Sequence, residues 1–104
     1  MHGITKPKFL EFLQEKPRRR MRIWEPCHCI GGDFLHWLGH PTAEFGTRSY
    51  ELDTFGANYA APKWFGDLVS AVMDKPEYHP SNSVVEARTV LKIWRELGGG
   101  PKSA

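Results

Sequence analysis

Apolar residues in this chain recur three and four apart, the spacing of a helix face, but only in short runs that proline or glycine cuts off. That punctuation excludes one long helix and requires a core assembled from several brief elements. The clearest run is the last: Ala87, Val90, Leu91, Trp94 and Leu97 form a stripe, Ser83 and Glu86 have capping-box spacing ahead of it, and Gly98 closes it. Phe9, Leu10, Phe12 and Leu13 predict a helix over residues 6–15, with Thr5 as cap, Pro7 tolerated in the first turn and Lys16-Pro17 as its end. A buried helix is predicted from Cys27–Cys29 to Leu38, carrying Ile30, Phe34, Leu35, Trp37 and Leu38 and stopped by Gly39 and His40-Pro41. Gly31 and Gly32 in its first turns cost about 1 kcal/mol each relative to alanine, which points to a close approach of another backbone. Pro62 starts a further helix in which Trp64, Phe65, Leu68, Val69 and Val72 share a face as far as Met73.

The remaining segments carry weaker signals. Residues 21–24 show no helical period before Pro26 and read as extended. Residues 42–45 read as a single turn, 49–55 as a short helix with Tyr50, Leu52 and Phe55 as its apolar members, 58–61 as a link, and 74–82, with Pro76, Pro80 and Asn82, as a loop. The fold expected from this pattern is mainly α: a compact bundle of about four to five short helices with one short extended segment near residues 21–24. One domain spans 1–104, with 98–104 as a flexible tail.

Composition bears on what such a bundle can do. Apolar residues make up 40% of the 104, including four tryptophans, enough to offset chain entropy without a cofactor. The net charge of +2 owes much to one run, Arg18, Arg19, Arg20 and Arg22, and outside it the chain is nearly balanced. A dedicated duplex binder carries a broader basic face, because each neutralised phosphate adds affinity through counterion release. No apolar stretch approaches the length of about 18 residues that crosses a bilayer, and the N-terminal residues lack the apolar segment of a signal peptide. The expected location is the cytoplasm, with no membrane partner, and the closely spaced Cys27 and Cys29 are expected to be reduced, since a loop that small strains a disulfide.

The order of FLEFLQEKP, an extended MRIW, CHCIGG opening a buried helix, and ARTVLKIWRELGGG at the end resembles a diffuse group of small uncharacterised proteins of bacteria and their phages. In that group a Met and a Trp precede a short Cys- and Gly-containing segment that begins the second helix. The cysteine spacing here is shorter than the usual gap. The resemblance implies a bacterial or phage origin and a compact helical fold, and it transfers no activity.

Two segments carry residues with chemistry. Cys27, Cys29, His36 and His40 form a Cys-x-Cys followed by His-x-x-x-His, thiolates and imidazoles of the kind that tetrahedral zinc prefers. Against zinc, structural sites place two residues between paired cysteines, and His40 lies beyond the helix stop; the plainer reading has the cysteines as small buried packers. A thiol enzyme is disfavoured, because no orienting acid or oxyanion site accompanies His28 and the cysteines, and Glu51 and Asp53 point to different faces. The second segment, Arg18, Arg19, Arg20 and Arg22 with Trp24, offers guanidinium forks for phosphate or carboxylate beside an aromatic surface. Gly98-Gly99-Gly100 lacks the strand, lysine and helix of a phosphate loop. The expectation is a non-enzymatic accessory protein that binds a larger protein, as an inhibitor or adaptor, for instance of a host defence complex. The alternative is a small nucleic-acid-binding module that uses the Arg run and is stabilised by zinc.

Overall fold

The computed structural model describes residues 2–25, 27–52 and 56–98. Its helices α1 (Lys6–Glu15), α2 (Ile30–Trp37), α3 (Lys63–Met73) and α4 (Ala87–Glu96) stand where the apolar stripes put them. Between them run strands β1 (Arg20–Arg22), β2 (Glu44–Phe45), β3 (Ser49–Glu51), β4 (Asn58–Ala60) and β5 (Val84–Glu86), with a 3-10 turn at Pro76–Tyr78. The fold is therefore mixed α/β and not the mainly-α bundle expected from the sequence. β1 and β5 form a two-stranded antiparallel ribbon in which Met21 faces Val85, and β2, β3 and β4 form an antiparallel meander.

The departures fall where short segments pair as strands. The helix expected over 49–55 gives way to a strand at Ser49–Glu51, which pairs on both edges: Tyr50 faces Phe45 on one side and Tyr59 on the other. The single turn expected at 42–45 is β2, the link at 58–61 is β4, and Phe55, offered as an apolar member of the 49–55 helix, lies outside the described residues. The capping box at Ser83 and Glu86 is replaced by β5, since the β-branched pair Val84-Val85 suits the pleated surface opposite β1. Glu86 then caps α4 by position alone, its carboxylate taken 2.6 Å away by Arg88 Nε. The cap of α2 is Cys29, whose Sγ accepts from the Gly32 N–H at 3.4 Å. Gly39, at φ +105°, and Gly98, at φ +75°, follow the C-caps of α2 and α4 in the left-handed region, which glycine alone enters without strain. Of the expected tail, residues 99–104 lie outside the described residues.

One aromatic cluster joins the helices. The Phe9 ring of α1 stands 5.0 Å from Phe34 of α2 and from Phe65 of α3, and 5.3 Å from Trp94 of α4. Trp64 stacks on Trp94 at 5.4 Å, and the buried Trp94 Nε1 has no hydrogen-bond partner among the described residues. The meander closes the other side of α2, where Phe45 lies on Gly31: a Cβ placed on that glycine would be 2.2 Å from Phe45 Cγ. The sequence predicted the close approach of another backbone at Gly31 and Gly32, whereas what lies on Gly31 is an aromatic side chain.

Candidate functional site

The strand period organises the basic segment. Met21 and Ile23 point into the core, while Arg20, Arg22 and Trp24 are exposed, so alternate residues carry two guanidinium groups and an indole along one outward side. Three of the four tryptophans are buried or half-buried, and Trp24 is 40% exposed. Its Nε1 donates to the Tyr78 carbonyl at 2.6 Å, which fixes the ring against the 3-10 turn without covering its face. Beside it opens an apolar cavity of about 160 Å3, walled by Ile23, Ile30, Phe45, Val69 and Met73.

The arginines divide between internal and outward duties. Arg19 folds back, with its guanidinium 4.4 Å from the centre of the Phe12 ring and 3.4 Å from the Glu15 carboxylate, and its side chain is only 20% exposed. Arg22 is paired with Glu25 at 2.8 Å. Arg18 and Arg20 are exposed and have no ionic partner among the described residues. The expected set of Arg18, Arg19, Arg20, Arg22 and Trp24 thus keeps two uncommitted cations, one paired cation and the indole, and gives up Arg19 to the scaffold.

The four expected zinc ligands are not brought together. Cys29 Sγ is buried at the α2 cap and also reaches the Phe45 carbonyl at 3.7 Å. Burial pushes its thiol pKa up, against the thiolate form that zinc or nucleophilic chemistry needs. His40 lies past Gly39 at the far end of α2, its ring 6.1 Å from that of His2. His36 Nε2 stands 2.9 Å from the Ala43 carbonyl oxygen. Instead, His36 groups with His28 and Asp33, and the ligand atoms of these three all lie within 4.8 Å of one another. Asp33 and His36 are three apart on α2, a helical spacing that was legible; the addition of His28 depended on how the loop before the cap turns.

A second histidine cluster has no sequence signal at all. His2 Nδ1 is 2.7 Å from the Tyr50 hydroxyl, and the His2 ring meets Tyr59 edge-on at 4.5 Å. Burial, with Tyr59 adding to it, raises the Tyr50 pKa. These contacts tie the first residues to β3 and β4.

No protein family, no curated protein and no solved structure matches the chain. Among the described residues no helix is long and apolar enough to cross a membrane.

Proposed function

We propose that this chain is a non-enzymatic, cytoplasmic accessory protein that docks onto a larger protein through the face bearing Arg18, Arg20, Arg22 and Trp24. The observation that carries this reading is the exposed indole of Trp24 at the rim of an apolar cavity, with Arg20 and Arg22 exposed at the alternate positions before it and Arg18 exposed just ahead of the strand. Tryptophan and arginine dominate binding hot spots, because an indole fills a pocket at small entropic cost and a guanidinium forks onto a carboxylate. The partner implied is a protein surface that presents acidic residues around one apolar side chain, the side chain entering the cavity. A bacterial or phage setting, which the sequence resemblance implies, makes an inhibitor or adaptor of a host complex the natural form of this role. Nucleic acid is the weaker reading, because the basic face is short and a phosphate backbone is held through a broad set of cationic contacts.

The test is affinity capture from the native bacterial host with the wild type, Trp24→Ala and Arg20→Glu side by side. The expected result is a stoichiometric protein partner held by the wild type and weakened about thirtyfold by Trp24→Ala, the effect of a hot-spot residue. The reading fails when no such protein is retained, or when both variants, folded as judged by circular dichroism, retain it equally. Salt-sensitive binding of single-stranded DNA or RNA without any protein partner would replace it with the alternative.

A further inference from the structure

We propose that His28, Asp33 and His36 bind one divalent transition-metal ion, zinc by the nature of the donors, with the remaining coordination positions open to solvent. Two imidazoles and a carboxylate are a donor set that zinc takes in sites with three protein ligands. The ligand atoms are within 4.8 Å of one another, with His28 Nδ1 and Asp33 Oδ1 3.8 Å apart, whereas ligands sharing one zinc ion stand about 3.3 Å apart at ordinary bond lengths, so an ion would have to draw the three side chains somewhat closer. This site uses none of the docking-face side chains, although the Arg22 N–H donates to the His28 carbonyl.

Three features favour an ion here over a simple surface ion pair. First, the Ala43 carbonyl can only accept, so neutral His36 carries its proton on Nε2 and leaves the Nδ1 lone pair available. A backbone carbonyl holding the second ring nitrogen is the usual support of a metal-bound histidine. Second, the loop that bears His28 is anchored: its carbonyl accepts from the Arg22 N–H at 3.0 Å and its own N–H donates to the Glu25 carbonyl at 3.1 Å. Third, His28 Nδ1 and Asp33 Oδ1 are 3.8 Å apart, too far for a good direct hydrogen bond, while the rings of His28 and His36 meet nearly at right angles, 6.2 Å between centres. The half-buried Asp33 carboxylate faces His28 and His36, and a cation shared by the three would add to the compensation they give it.

The full chain, freed of metal with a chelator, is titrated with Zn2+ by calorimetry and with Co2+ by visible absorption. One ion per chain is expected, with Co2+ bands in the visible region and no thiolate-to-metal charge-transfer band in the near ultraviolet. His36→Ala and Asp33→Asn, each removing a ligand, should weaken Zn2+ binding by at least the roughly tenfold to hundredfold that loss of a mere supporting group costs. Cys27→Ala and His40→Ala should leave it unchanged. Absence of stoichiometric binding overturns the proposal, as does a charge-transfer band or loss of binding in Cys27→Ala, either of which would return the site to the cysteines. Because the charge-transfer band is read on the wild type, failure of a variant to fold leaves the proposal testable.

Discussion

Residue identities in this chain matter most where two elements meet without room to spare. Gly31 is the sharpest case, since the Phe45 ring occupies the volume a methyl group would need. Alanine there gains about 1 kcal/mol of helix propensity but overpacks the contact at a cost of about 1–3 kcal/mol, and the 2.2 Å approach places the cost at the upper end. Gly31→Ala should therefore lower the unfolding free energy by about 1–2 kcal/mol in urea titration, and in a Phe45→Ala background the same change should be neutral or stabilising. The pairing of Gly31 with Gly32 was legible as a sign of close approach. That the neighbour is Phe45 was not, because β2 joins α2 only through the tertiary fold.

Among the elements, the short strands escaped the sequence pattern because two or three residues are too few to display a period of two. The spacing of Tyr50 and Leu52 predicts a helix face, whereas Tyr50 is buried between neighbouring strands and β3 ends at Glu51. The meander carries one unfavourable pairing that its register reveals: Glu44 lies directly opposite Glu51. Like charges in that position repel and opposite charges attract, each on the scale of about 0.2–1 kcal/mol. Glu44→Lys is thus expected to raise stability by about 0.5 kcal/mol or more at low salt, with Glu44→Gln giving a smaller gain and both gains shrinking at high salt in thermal melts. The β1–β5 ribbon shows the same logic with a functional outcome. Extended geometry at residues 20–22, predicted for 21–24, sends Arg20, Arg22 and Trp24 outward together, which a helix would have scattered.

Across the whole molecule, the meander is tied to α3 by Asp67, whose carboxylate receives Arg48 at 2.9 Å from the β2–β3 turn and Lys63 at 2.8 Å from its own helix. Hydrogen bonds from Lys63 and then Arg48 hold the Asp67 carboxyl below its ordinary value of 3.8. A carboxyl depressed in the folded state contributes stability above the unfolded value and loses it as pH falls through the folded one. Asp67→Asn should accordingly be slightly less stable than the wild type at pH 7, and the difference should vanish in acid, below pH 3.8. Denaturant titrations of both proteins across that range, at low salt, would measure it. The same arrangement leaves the docking face and the His28, Asp33, His36 group on segments joined by the Arg22–His28 backbone bond, so the two candidate sites share one stretch of chain from residue 18 to 36.

By itself the sequence determined the four helices, the left-handed stops at Gly39 and Gly98, the aromatic core positions and the segment that carries exposed Arg and Trp, because each depends on local spacing, local φ or local charge. Tertiary structure decided the two sheets, since strands this short exist only through partners distant in sequence, as Met21 faces Val85. It also decided the site chemistry. The cysteine at the α2 start became a buried cap rather than a ligand, Arg19 was drawn onto Phe12, and His28 rather than His40 was brought to His36, because burial and loop direction are set by packing and not by spacing along the chain.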